Sequence, residues 1–445
     1  MRLRTLTAAA VIFLFALGSG STAHGAAPTP PGEITFVGTD SNIYYCDAKC
    51  HEPKCITCKA AAMHVRRDDA RDDAFVKVDA VPEAGPGPGA TEYGFPTFSP
   101  DGKRIAYSAE THKQGEDSFA VWVYDLARSD AMLIFESRSE RIIYMVWLPD
   151  AQHLSFLLGE PQGLSLVLAE VKESTPVRIV TTGMPLYFDW GAGADEVALH
   201  TLALDPDRTE QVALMSLTPT SQGVVKVLSR GRTPFKNPAW SPDGKHLAYI
   251  ANDHAESSII VADADASHPR SVVSLPVGEN SFIWAPDSAH LAYATALTAQ
   301  DPTYHGIKLV DVANANSKWL TKDDVAAFFF APDSRHLAYI GVPEDKPYYS
   351  WSVVDVKTGA VKAIGNFLAT PEESTAYRYF DQLAVSHTIW SPDSSSFIYA
   401  GVRLIGSPDK ALGIAPAPSA WIVPIDGSDP HQIANAVLAF FSPAK

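Results

Sequence analysis

Four cysteines, Cys46, Cys50, Cys55 and Cys58, fall within thirteen residues, with His51 among them. Sulfur at this density can close disulfides or hold a metal. Two disulfides stapling a loop suit an exported chain with an even cysteine count. Three pairings are possible, and the spacing does not choose among them. The alternative is a structural zinc ion in a tetrahedron of four thiolates, for which Cys55-x-x-Cys58 has suitable spacing. The run from Cys46 to His51 has three residues between its cysteines where a haem-attachment sequence has two, so haem is not expected. A redox pair at Cys55 and Cys58 lacks the βαβ surroundings usual for such motifs. No cofactor is expected, with zinc at the cysteines as the open alternative.

A second group is Glu372, Glu373, Tyr377, Arg378, Tyr379 and Phe380. Aromatic rings with arginine and carboxylates in an exposed loop would suit ligand recognition. A tolerated surface excursion would carry the same residues with no role. His246, His290, His336 and His153 recur at one repeat position. They are expected to cap turns on a ring and not to gather round a metal. Asp263 and Asp265 resemble part of a calcium loop, but no full oxygen set follows. No G-x-S-x-G elbow, H-E-x-x-H or phosphate-binding glycine loop is found, so no catalytic residues are assigned.

The elements that position these groups come from a repeat. An aromatic, a small residue, Pro-Asp-Gly or Pro-Asp-Ser and a short apolar strand recur along the chain. The clearest copy is Trp240-Ser241-Pro242-Asp243-Gly244-Lys245-His246-Leu247-Ala248-Tyr249. Others begin at Phe98, Trp147, Trp284, Phe330 and Trp390, a degenerate one at Trp190, and the last at Phe441. Their aromatics are 49, 43, 50, 44, 46, 60 and 51 residues apart. That period, punctuated by Pro, Asp and Gly beside short apolar runs, predicts an all-β fold, a β-propeller of four-stranded blades. Eight copies give eight blades, or seven if the copy at Trp190 is not separate. Proline presets the turn, Asp bonds to nearby backbone and Gly or Ser closes it. The small Ala in Leu-Ala-Tyr lets neighbouring sheets approach. The last copy stops after its turn, and Ile34-Thr35-Phe36 supplies the strand it lacks. The first blade is therefore expected to be built from both chain ends, removing open edges. Its third strand would be Asn42 to Tyr45 and its fourth Phe75 to Asp79. The 60-residue interval carries an excess over its neighbours at about 366–386.

The copies at Ser99 to Tyr107 and Ser241 to Tyr249 resemble the WD-repeat-like propeller repeats of TolB. Similar repeats form the propellers of prolyl-oligopeptidase-type and dipeptidyl-peptidase-type enzymes. The resemblance implies a propeller over nearly all of the chain. It also implies that the 366–386 excess, and the segments 84–94 and 405–419, emerge on the face where propellers commonly bind ligands. An α/β domain like the one that precedes the TolB propeller is not expected.

Residues 1–26 read as a secretory signal. Arg2 and Arg4 precede an apolar stretch from Leu6 to Leu17 that is too short to span a bilayer, and Ser21-Thr22-Ala23 offers a cleavage site. Residues 27–445 then form one propeller domain, periplasmic or secreted, with no membrane span. The formal net charge of -16 disfavours nucleic acid and anionic lipid as partners. The expected function is an exported, non-catalytic binding or scaffold propeller for a protein, peptide or glycan on the loop face. The alternative is a lyase or hydrolase with its site in the central funnel.

Overall fold

The computed structural model describes residues 32–58, 91–113, 115–161, 163–173, 175–202, 209–218, 223–231, 237–253, 256–276, 279–296, 303–405 and 416–443. The expected leader at 1–26, the run 66–73, the expected strand 75–79 and residues 406–415 lie outside these.

Among the described residues the strands form four four-stranded antiparallel sheets and one of thirteen strands. Each small sheet is a blade. The second blade is Thr91–Phe98, Arg104–Lys113, Glu116–Asp125 and Asp130–Ser137. The third runs from Arg141–Trp147 to Arg178–Gly183, the fourth from Leu186–Trp190 to Val224–Arg230, and the fifth from Ala239–Trp240 to Arg270–Leu275. The large sheet is four further blades joined end to end. Its strand Ser317–Phe330 is the outer strand of the sixth blade and then the inner strand of the seventh. His431–Phe441 does the same for the eighth and first. The described residues therefore make eight blades, and the degenerate copy at Trp190 makes one of them.

Ring closure follows the expected pairing. Ile34 lies opposite Phe441, Thr35 opposite Phe440 and Phe36 opposite Ala439. The third strand is Ile43–Asp47, and the short Lys54–Cys55 pairs outside it with Tyr44 and Tyr45.

The repeat residues explain how blades stack. The indole N–H of Trp147 donates to the Thr97 carbonyl of the preceding blade at 3.1 Å. Trp284 donates to the Ala239 carbonyl at 3.0 Å and Trp390 to that of Phe329 at 3.1 Å. Each acceptor immediately precedes the aromatic of its own copy, so one register recurs. Ala106, Ala248, Ala292 and Ala338 are completely buried, which leaves room for neighbouring sheets to close on them. The turns behave as their chemistry requires. Asp101, Asp243 and Asp393 accept a hydrogen bond from the Ser two residues before and from the backbone N–H two residues after. The residue after each Asp is left-handed: Gly102 and Gly244 have φ of 68° and 69°, and Ser394 adopts 63°. His153, His290 and His336 cap their turns through Nδ1 contacts to Asp150, Asp287 and Asp333 at 2.6, 2.8 and 2.7 Å. His246 differs, approaching Asp263 at 4.0 Å.

The Phe441 side chain is 1 % exposed in the closing blade. Truncating it (Phe441→Ala) should destabilise the fold by about 3–5 kcal/mol. Denaturant unfolding would measure this, and a loss below about 1 kcal/mol would mean that closure is not where the ring is held.

Candidate functional site

The long interval does not form an exposed loop. The strand Val361–Ala369 ends by pairing residues 366–369 with the second strand of the eighth blade, Ser396–Leu404. The chain then leaves that line and returns at Ile389, whose carbonyl accepts the Ile398 N–H. The inner strand of the eighth blade is thus built in two pieces. Between them lie two short helices, α1 (Pro371–Arg378) and α2 (Phe380–Ser386). Thr370 starts α1, its hydroxyl accepting the Glu373 N–H at 3.0 Å, and Pro371 suits the first helical turn.

These helices cross the central channel. The Ser386 carbonyl accepts from the Thr97 hydroxyl of the second blade at 2.7 Å. Tyr144 of the third blade donates to the Gln382 carbonyl at 3.0 Å, and its hydroxyl lies 2.9 Å from Ser386 Oγ. Phe380 meets Phe328 of the seventh blade with ring centroids 4.5 Å apart, and Tyr304 of the sixth at 6.0 Å. In an eight-bladed ring the second and third blades face the sixth and seventh. One helix touching all four therefore spans the hole.

Of the six residues singled out in the sequence, three correct the expectation of an open recognition loop. Glu373, Tyr377 and Phe380 are buried, while Glu372, Arg378 and Tyr379 are exposed. The reason is visible at Glu373. Breaking the inner strand leaves the Ala400 N–H without its ladder carbonyl. The Glu373 carboxylate takes that place, accepting from Ala400 N at 2.9 Å. A side chain thus substitutes for missing backbone, as a buried N–H requires. Burial pushes the Glu373 carboxyl up to about 7, opposed by the hydrogen bonds it accepts. The neighbouring Tyr377 phenol is driven well above its ordinary range, first by burial and then by the Glu373 charge. At the far end of the excursion His387 is buried, and desolvation lowers its imidazole to about 3.

The excursion also brings Ser386 Oγ within 2.6 Å of His387 Nδ1, a contact the sequence reading did not single out. A nucleophile needs a base poised near the working pH. Burial lowers the His387 imidazole, and its ring is packed against Phe440 at 4.6 Å. The pair is suited to packing the channel.

The four cysteines pair at disulfide distance, Cys46 with Cys50 and Cys55 with Cys58. Asp263 and Asp265 serve a turn: both are bonded to Ser267, and Asp263 also to His268. A separate cleft of about 430 Å³ lies between the sixth and seventh blades, lined by turn residues that include Asp287, Asp311, Lys318 and Arg335. Its charged groups are largely engaged: Asp287 holds His290, and Lys318 donates to the Val356 carbonyl at 2.7 Å.

No family model matches the chain. Among curated proteins, the uncharacterized peptidase YuxL of Bacillus subtilis is 25% identical over 215 residues, 40% of this chain. The Tol-Pal system protein TolB of Mannheimia succiniciproducens is 41% identical over 54 residues, 12% of this chain. The chain spans only 31% and 12% of the lengths of these two relatives. Among solved structures, a prolyl endopeptidase superposes with a TM-score of 0.51 at 13% identity, covering 80% of this chain and 50% of that one. At that identity the likeness concerns the fold. The chain is a β-propeller of TolB-like repeats.

The raised Glu373 has a measurable consequence. Its folded-state value of about 7 lies above the ordinary 4.5, so the stability it contributes is present below 4.5 and lost as pH rises through 7. His387 acts in the opposite sense, its contribution being lost as pH falls from 6.5 towards 3. Glu373→Gln keeps a carbonyl acceptor for Ala400 and removes the titration. Because the His387 contribution grows over much of the same range, the Glu373 effect is read as a difference: from pH 4.5 to 7 the unfolding free energy of the variant should rise relative to that of the wild type. Identical pH profiles for the two proteins in chemical denaturation would refute the assignment. Glu373→Ala, which orphans the Ala400 N–H, should cost about 1–3 kcal/mol.

Proposed function

We propose that this chain is an exported, non-catalytic binding propeller that presents the outer surface of its channel-crossing helices to a protein or peptide partner. The single observation that carries this reading is the excursion itself. It fills the funnel where a propeller enzyme would place its chemistry, with packed aromatics and a neutral imidazole. It also leaves Glu372, Arg378 and Tyr379 facing outward on a supported helical segment. Arg and Tyr are the residue types that anchor interfaces, and a rigid scaffold lowers the ordering cost of binding. Val385 of α2, 59 % exposed, adds apolar surface on the same excursion.

The similarity to TolB repeats supports a protein as the partner class, and a glycan is the competing ligand. The two disulfides, and the apolar leader-like stretch in the sequence, support export to the periplasm or beyond. None of the described helices is long and apolar enough to cross a membrane. The other reading, a lyase or hydrolase working in the funnel, draws on the enzymes among proteins of similar fold, and fold alone does not transfer activity.

The test is affinity capture from a periplasmic extract with the wild type and with a Glu372→Ala, Arg378→Ala, Tyr379→Ala triple variant. These positions are exposed, so the variant should unfold within about 1 kcal/mol of the wild type. A specific protein retained by the wild type should be lost from the variant. Identical partners for both would move the binding surface elsewhere. Retention of an oligosaccharide in place of a protein would favour the glycan.

A further inference from the structure

The two disulfides are not alike. Cys46 and Cys50 are 7 % and 6 % exposed and pack in the apolar cluster of Ile34, Phe36 and Phe441 that closes the ring. Cys55 and Cys58 are both partly exposed, and among the described residues the strand Lys54–Cys55 pairs with Tyr44 and Tyr45 and ends its sheet. Both bridges close short loops, with sequence separations of 4 and 3, so burial and not loop length distinguishes them.

The surroundings of the exposed pair already suit its reduced form. The Cys58 backbone N–H points at Cys55 Sγ, at 2.9 Å. In the dithiol state that N–H would donate to a Cys55 thiolate. The Tyr44 hydroxyl oxygen lies 3.4 Å from Cys58 Sγ, and its own proton is committed to Asp40 at 2.7 Å. It can therefore accept from a Cys58 thiol. Each sulfur of the bridge thus has a polar neighbour able to serve its reduced form, a donor beside Cys55 and an acceptor beside Cys58. A donor on a thiolate lowers its pKa and stabilises the reduced couple.

We propose that Cys55–Cys58 is a redox-active thiol–disulfide exchange site for protein dithiols, with Cys55 as the reacting sulfur, while Cys46–Cys50 is structural. In the forward step a partner thiolate attacks Cys55 Sγ. The Cys55–Cys58 bond breaks, a mixed disulfide forms and Cys58 leaves as thiolate, taking up a proton. The partner's second thiolate then attacks its own bridged sulfur and releases Cys55 as thiolate. The partner loses two electrons and closes a disulfide, and the loop gains both electrons as a dithiol. The reverse sequence reduces a partner disulfide.

The experiment uses the full mature chain. The wild type is equilibrated in glutathione buffers of graded reduced-to-oxidised ratio, trapped with an alkylating agent and mapped by mass spectrometry, with circular dichroism on the same samples. The expected result is double alkylation at Cys55 and Cys58 while Cys46–Cys50 stays bonded and the spectrum stays native. In Cys58→Ser, the Cys55 thiol should form a mixed disulfide with glutathione. It should also be alkylated at pH 6 at least about ten-fold faster than the same thiol in the denatured protein. Reduction of both disulfides together, or only with loss of the native spectrum, would overturn the proposal. So would a Cys55 thiol no faster than its denatured counterpart. Should the variant fail to fold, the wild-type titration decides alone.

Discussion

Phe441 is where the molecule is tied together. Its strand pairs with Ile34–Val37, which closes the ring, and its N–H reaches the Thr388 carbonyl at 2.7 Å, where the excursion rejoins the sheet. A propeller has no core at its centre. Its apolar surface lies between blades, and each blade is held by the two beside it. An unclosed ring would expose both faces of that arrangement and two strand edges. The chain solves this by sharing the first blade between its two ends. The burial of Trp390, Phe397 and the channel aromatics then follows.

The channel poses a second constraint. Eight inner strands leave a hole, and two short helices fill it at the cost of interrupting one strand. The interruption explains a run of otherwise odd features. A carboxylate is buried because an amide needs an acceptor. A tyrosine beside it is held far from ionisation. A histidine is kept neutral by its burial. These groups look like catalytic machinery by their altered proton affinities, yet each is explained by repair of a broken ladder or by packing. Shifted proton affinity locates functional sites only when it is not required by the architecture.

Much of this was legible in the sequence. The spacing of Trp147, Trp240 and Trp284 gives the blades, the Ala of Leu-Ala-Tyr gives their close approach, and Ile34-Thr35-Phe36 gives the closure, because all three are local patterns repeated under one geometry. The turn caps at His153, His290 and His336 were legible for the same reason, whereas His246 did not follow the pattern. The excursion was not. Glu, Tyr and Arg in a non-repeating stretch have the composition of a surface loop. Nothing local tells Glu373 from Glu372, since the partner that buries it, Ala400, is distant in sequence and belongs to a strand whose gap only the assembled ring reveals. Cysteine pairing was open for a related reason: spacing admits three solutions, and the turn at Asp47, whose carboxylate accepts the Cys50 N–H at 2.9 Å, selects one.

The two-piece inner strand has one more implication. Ala369 sits opposite Gly401, and Ile389 meets Ile398. The excursion therefore departs and returns at nearly neighbouring points on one line. Such an arrangement makes 370–386 a replaceable cassette. Exchange of its content would leave the strand registers on either side in place, provided the Ala400 N–H kept an acceptor. A lineage could retool the centre of the wheel while leaving its rim untouched.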